Sequence, residues 1–133
     1  MKKGINYWSY TMDGSLTAQE AIDLAKADGF SGIELTLELT GKSIILDSTE
    51  KEVKDIAAYA KKQQIDLPSV ATGLYWTNSL TANSAAVTKK AYNIVLKQLQ
   101  IAKWLGADTI LVVPGAVDVF FIPGAEKIPY DIA

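Results

Sequence analysis

One short pattern recurs along this chain and limits what it can fold into: a helix ending in Ala-Lys, a glycine stop, then a strand of branched residues. Ala25-Lys-Ala-Asp-Gly-Phe-Ser-Gly-Ile-Glu-Leu35 aligns with Ala102-Lys-Trp-Leu-Gly-Ala-Asp-Thr-Ile-Leu-Val112, matching Ala-Lys, the glycine and the strand isoleucine. Ala60-Lys61 opens a third copy, with Gln64 where the glycine would stand. The three starts are 35 and 42 residues apart, a spacing suited to strand-helix units used repeatedly. Strand-helix-strand crossovers require parallel strands with helices packed on the sheet.

The spacing of apolar residues places four strands, over 4–8, 32–37, 67–72 and 109–113. The last is continuous and branched, as a strand buried on both faces should be. Helices are predicted over 17–28, 49–64 and 84–105. Thr17 with Glu20 and Thr49 with Glu52 have capping-box spacing, in which hydroxyl and carboxylate satisfy the orphan amides of a helix start. Asn83 is the expected cap of the third helix, and Gly29 and Gly106 are expected stops. Pro129 reads as the opening of a fourth helix. The expected fold is therefore α/β: parallel (β/α) units, four strands and three helices, forming the N-terminal half of a TIM barrel. A whole barrel needs about 250 residues, so residues 1–133 are expected to be one partial barrel domain.

Composition excludes several classes. Apolar residues make up 49% and charged residues 21%, which suits a packed globular chain rather than a disordered one. No apolar run approaches the roughly 18 residues of a membrane span, and polar residues interrupt the start too early for a secretory signal. The cytoplasm is the expected compartment. Cysteine and histidine are both absent, which removes thiol chemistry, the commonest metal ligand and the commonest general base. All 13 cations are lysines in a chain of net charge −2, with no basic cluster, so nucleic acid is not an expected partner.

Barrel active sites lie at the C-terminal ends of the strands. In the second strand Ile33, Leu35 and Leu37 share one face, suited to helices, while Glu34, Thr36 and Glu38 share the other and should point inward. Asn6 and Trp8 share the inward parity of the first strand, and Thr72 ends the third. Aromatic loops follow, with Tyr75 and Trp76 after the third strand and Phe120 and Phe121 after the fourth. Aromatic walls with a few polar groups suit a sugar, whose C–H faces are apolar and whose rim is hydroxyl. Asn6, Trp8, Glu34, Thr72 and Trp76 are the candidate substrate-binding residues. Each has a structural alternative: Glu34 as a paired interior carboxylate, the tryptophans as core.

The stretches Gly29-Phe-Ser-Gly-Ile-Glu-Leu35, Ala71-Thr-Gly-Leu-Tyr-Trp76 and Gln100-Ile-Ala-Lys-Trp-Leu-Gly-Ala-Asp-Thr-Ile-Leu-Val-Val-Pro-Gly115 resemble the xylose-isomerase-like barrels. Within these, the resemblance is to sugar-phosphate isomerases and epimerases of the hexulose-6-phosphate isomerase and L-xylulose-5-phosphate 3-epimerase types. It implies metal-assisted proton transfer next to a ketose carbonyl in the full-length enzyme, with a divalent metal held by Glu, Asp and His from the second half of the barrel. No metal ligand is therefore expected in this chain. Its expected part is barrel wall and contacts to a small sugar or sugar phosphate, and the isolated chain is expected to be inactive. An endonuclease IV-like DNA-repair role would need zinc-binding histidines in this half, and there are none. The alternatives are a non-catalytic half barrel that binds sugar or associates with itself, and a piece completed by a C-terminal half.

Overall fold

The computed structural model describes residues 1–132. Three α-helices, α1 (Ala18–Ala27), α2 (Glu50–Gln63) and α3 (Ala85–Leu105), cover one face of a five-stranded parallel sheet. The strands are β1 (Gly4–Asn6), β2 (Gly32–Glu38), β3 (Ile44–Ile45), β4 (Ser69–Ala71) and β5 (Thr109–Ile110). They run in the order β1-β2-β4-β5, and β3 pairs with the last two residues of β2. The parallel α/β architecture and the three helices are those expected.

Every strand pair is parallel, with Asn6 opposite Glu34, Thr36 opposite Ala71 and Ser69 opposite Thr109. The alternation of β2 divides its residues as predicted. Ile33, Leu35 and Leu37 are fully buried with Ala21, Ile22 and Ala25 of α1, Val53 and Ile56 of α2, and Ile101 of α3. Gly32 enters the sheet so close to the neighbouring chain that a Cβ there would stand 2.9 Å from the Asp66 carbonyl oxygen. That closeness lets the Ile33 amide donate to the Asp66 carbonyl and the Asp66 amide to the Ser31 carbonyl.

The recurring sequence pattern is a recurring device. After α1, α2 and α3 the chain turns through a left-handed residue: Gly29 at φ 75°, Gln64 at φ 62° and Gly106 at φ 76°. In each case the next amide reaches back to the alanine of the Ala-Lys pair, from Phe30 to Ala25, Ile65 to Ala60 and Ala107 to Ala102, at 2.9–3.0 Å. These bonds satisfy helix-end carbonyls and turn the chain into the next strand. Both capping boxes form, at Thr17 with Glu20 and at Thr49 with Glu52.

Four expectations are corrected. The first strand stops at Asn6, because the Asn6 side chain accepts the Trp8 amide and starts a 3₁₀ turn over Tyr7–Ser9. The fourth strand is only Thr109–Ile110, lying on the sheet's outer edge with one neighbour. Asn83 is not the cap of α3: Ser84 holds that position without a side-chain bond, and Asn83 instead donates to Glu126. A fifth strand, the two-residue β3, stands where four were expected; the Ile132 amide bonds the Pro129 carbonyl in a single turn, and the rest of the helix expected from Pro129 lies outside the described residues.

α3 is tied to the sheet through Gln98, which is fully buried. Its amide donates to the carbonyls of Val70 and Leu111 and accepts from the Tyr75 hydroxyl, at 2.7–3.0 Å. Burial pushes the Tyr75 phenol up to about 12, so it stays a neutral donor.

Gln64 is the one non-glycine residue with positive φ among those described. Left-handed backbone costs a side-chain-bearing residue on the order of 1 kcal/mol. Gln64→Gly is expected to stabilise the chain by about 0.5–1 kcal/mol, read as a higher urea midpoint at unchanged slope. A lower midpoint would show that the Gln64 side chain contributes more than its backbone costs.

Candidate functional site

The inner face of the sheet, away from the helices, carries the polar side chains. Glu34 lies at its centre. One carboxylate oxygen accepts from the Asn6 amide and the other from the Ser69 hydroxyl, each at 2.6 Å. Three strands thus converge on one charge, and a half-buried carboxylate is held by two neutral donors. The Asn6 oxygen accepts the Trp8 amide at 2.7 Å, which requires the Asn6 NH₂ to face Glu34.

Above this rung lies an aromatic shelf. The Trp8 indole N–H donates to Glu38 at 2.7 Å. On the same edge of the ring, Trp8 Cζ2 is 3.7 Å from where a Cβ on Gly73 would be, and Trp76 Cδ1 is 3.8 Å from the same point. Both indoles therefore meet at Gly73. Phe121 meets Trp76 edge-on at 5.4 Å, and Phe120 meets Phe121 in the same way. Trp76 also lines a cavity of about 270 Å³ enclosed by Tyr75, Val113, Val119, Ile122 and Ile128.

The structure brings Asn6, Trp8 and Glu34 into one connected group and places Trp76 beside it across Gly73. Thr72 stands apart. It falls on the Val70 parity of β4 and is buried, with its hydroxyl donating to the Leu37 carbonyl at 2.6 Å and accepting the Leu74 amide. It ties the ends of β2 and β4 together and shapes the turn that carries Trp76. Ser69 is the member that sequence reading missed. Its parity with Ala71, opposite to the apolar Val70, was the available signal.

The rim is acidic. A cavity of about 210 Å³ at the end of β2 is lined by Met12, Asp13, Gly14, Glu38, Leu39, Thr40 and Leu74. The Thr11 hydroxyl, then the Ser15 hydroxyl and amide, hold the Asp13 carboxyl down at about 2. Among the described residues no three of His, Cys, Asp or Glu come together to hold a metal ion. Glu34 already has a donor on each oxygen, and Glu38 binds an indole. As arranged, these side chains do not fit a divalent ion.

Asp13 gives the rim a pH dependence. Its carboxyl pKa is lower in the folded chain than the unperturbed 3.8. The stabilisation it brings is complete above that value and is lost as pH falls through about 2. The Ser15 amide resonance is expected to hold its position down to about pH 3 and move near pH 2. Movement centred near pH 4 would show that Asp13 is not held this way.

The family model described as a xylose isomerase-like TIM barrel matches residues 22–130. No curated protein matches the chain. Among solved structures, a D-psicose 3-epimerase crystallised in the presence of D-fructose superposes with a TM-score of 0.66 at 24% identity, over 83% of this chain and 36% of that one. D-Psicose 3-epimerase from Clostridium cellulolyticum H10, crystallised with D-tagatose, gives 0.66 at 17% identity, over 89% of this chain and 42% of that one. The chain thus spans roughly two-fifths of the length of the structures it matches, and these likenesses bear on the fold. With a family match over most of its length, a parallel sheet covered by helices and a polar inner face, the chain belongs to the xylose isomerase-like TIM barrel family.

Proposed function

We propose that this chain contributes the sugar-binding wall of a sugar isomerase or epimerase barrel, acting in the cytoplasm on a small ketose or its phosphate. The observation that carries the reading is the Glu34 cradle together with the two indoles that meet at Gly73. A carboxylate in a half-buried place is a strong acceptor for a sugar hydroxyl, and the Ser69 hydroxyl is a donor that can turn from Glu34 to the ligand. Trp8 and Trp76 supply flat apolar surface for the C–H face of the ring. Thr72 is carried into this proposal as the residue that sets the loop bearing Trp76. The family resemblance supports proton transfer next to the carbonyl, assisted by a divalent metal on ligands outside residues 1–132. The part assigned to this chain is holding and orienting the sugar.

The test is calorimetric titration of the purified chain with D-fructose. Millimolar binding is expected, weakened about tenfold by Glu34→Gln, which replaces an acceptor with a donor, about 1.4 kcal/mol. No ketose turnover is expected, with or without added divalent metal. Binding indifferent to Glu34→Gln would remove the cradle from the proposal, and metal-dependent turnover by the pure chain would overturn the division of labour.

A second reading rests on the apolar edge. Leu96 and Leu99 of α3 and Leu111 just past β5 are each about half exposed, and β5 has a strand on one side only. Such an edge favours pairing with another chain. Native mass spectrometry is expected to show a species above 14.4 kDa that Leu111→Lys diminishes. A monomer at every concentration would refute self-association.

A further inference from the structure

Thr36 occupies the centre of the inner face, between Glu34 and Glu38 on β2 and opposite Ala71 on β4. It is fully buried, and its hydroxyl has no hydrogen-bond partner. That is unusual for a group that can both donate and accept. The neighbours on its face explain the vacancy. Both oxygens of Glu34 are engaged by Asn6 and Ser69, Glu38 is engaged by the Trp8 indole, and Ala71 has no polar side chain.

Glu38 stands two positions beyond Thr36 on the same face of β2, one step further towards the mouth. Gly73 lies just past the end of β4, at the start of the 3₁₀ turn that carries Trp76. The edge of the Trp8 indole that carries Nε1 and the nearby Cζ2 meets both the Glu38 carboxylate and Gly73. That edge therefore sits where the end of β2 and the turn after β4 come together. The indole N–H bond to Glu38 is the polar contact that fixes it there.

We infer that Thr36 is the floor of a hydroxyl-binding subsite covered by Trp8, and that its ligand is a hydroxyl of a neutral polyol or sugar. The inference rests on the sugar-wall reading above and adds to it the residue beneath the shelf. Charge favours a neutral ligand: Glu34 and Glu38 flank Thr36 on its face of β2, and Asp13 lies with Glu38 at the rim, so an anion would be repelled. A hydroxyl satisfies Thr36 by either donating or accepting. Since Thr36 is buried, the indole must lift for a ligand to reach it, and the Glu38 bond is the latch.

The test uses Thr36→Val, which keeps the shape and removes the hydroxyl, with Thr36→Ser to restore it. D-Fructose affinity is measured by calorimetry, and the Trp8 indole N–H resonance is followed by NMR. The expected result is about a tenfold loss of affinity in Thr36→Val, recovery to within about twofold in Thr36→Ser, and a shifted Trp8 resonance on binding. If Thr36→Val binds D-fructose as the unaltered chain does, the subsite is refuted while the sugar wall stands. If D-fructose does not bind at all, the sugar wall falls and glycerol decides the subsite. Glycerol raising the melting temperature of the unaltered chain more than that of Thr36→Val upholds it, and equal rises refute it.

Discussion

Strand β2 is the constraint from which the rest of the molecule follows. Among the described residues it is the only strand paired to three others, and its two faces meet different surroundings. Ile33, Leu35 and Leu37 meet the helices in a dry core. Glu34, Thr36 and Glu38 meet the inner face, where each shapes one part of the candidate site. A slip of one residue in its register would exchange the two sets, burying carboxylates under helices and exposing the core leucines. The register is therefore held by burial on one side and by the Glu34 bonds on the other.

The helix ends link this strand to its neighbours. The same left-handed turn follows all three helices, so each following strand enters the sheet from a similar geometry. The turns depend on backbone bonds that side chains do not interrupt, which is why one of them tolerates Gln64. On the outer face Gln98 serves β4, β5 and the Tyr75 turn together. Tyr75 is next to Trp76, so the packing of α3 reaches the aromatic shelf through one buried amide. Thr72 works from the other side, bonding the end of β2 to the turn that begins at Gly73. The shelf is thus positioned by two buried polar contacts in addition to its own packing.

Charge follows the same division. Lysines occupy helix surfaces and the bottom of the sheet, where Lys2 pairs with Asp66 and Lys51 with Asp55. At the mouth, Asp13 and Glu38 line one cavity. The inner face offers acceptors and neutral donors held in place by one another, an arrangement that suits hydroxyl groups better than phosphates. Within this half of the barrel, recognition of a phosphate would have to come from elsewhere.

The sequence alone determined the repeating unit, the parallel α/β fold, both capping boxes, the glycine stops and the two-faced character of β2. These depend on contacts between residues a few positions apart or on strict alternation, and both can be read along one dimension. The tertiary structure alone decided that Trp8 reaches Glu38 on the neighbouring strand, that Ser69 shares Glu34 with Asn6, and that Thr36 has no partner. The bonds among these join positions 28–35 residues apart, through side chains whose reach depends on the register between strands. A sequence gives the parity of each strand but not how far one strand is displaced against the next, and that displacement chooses which side chains meet.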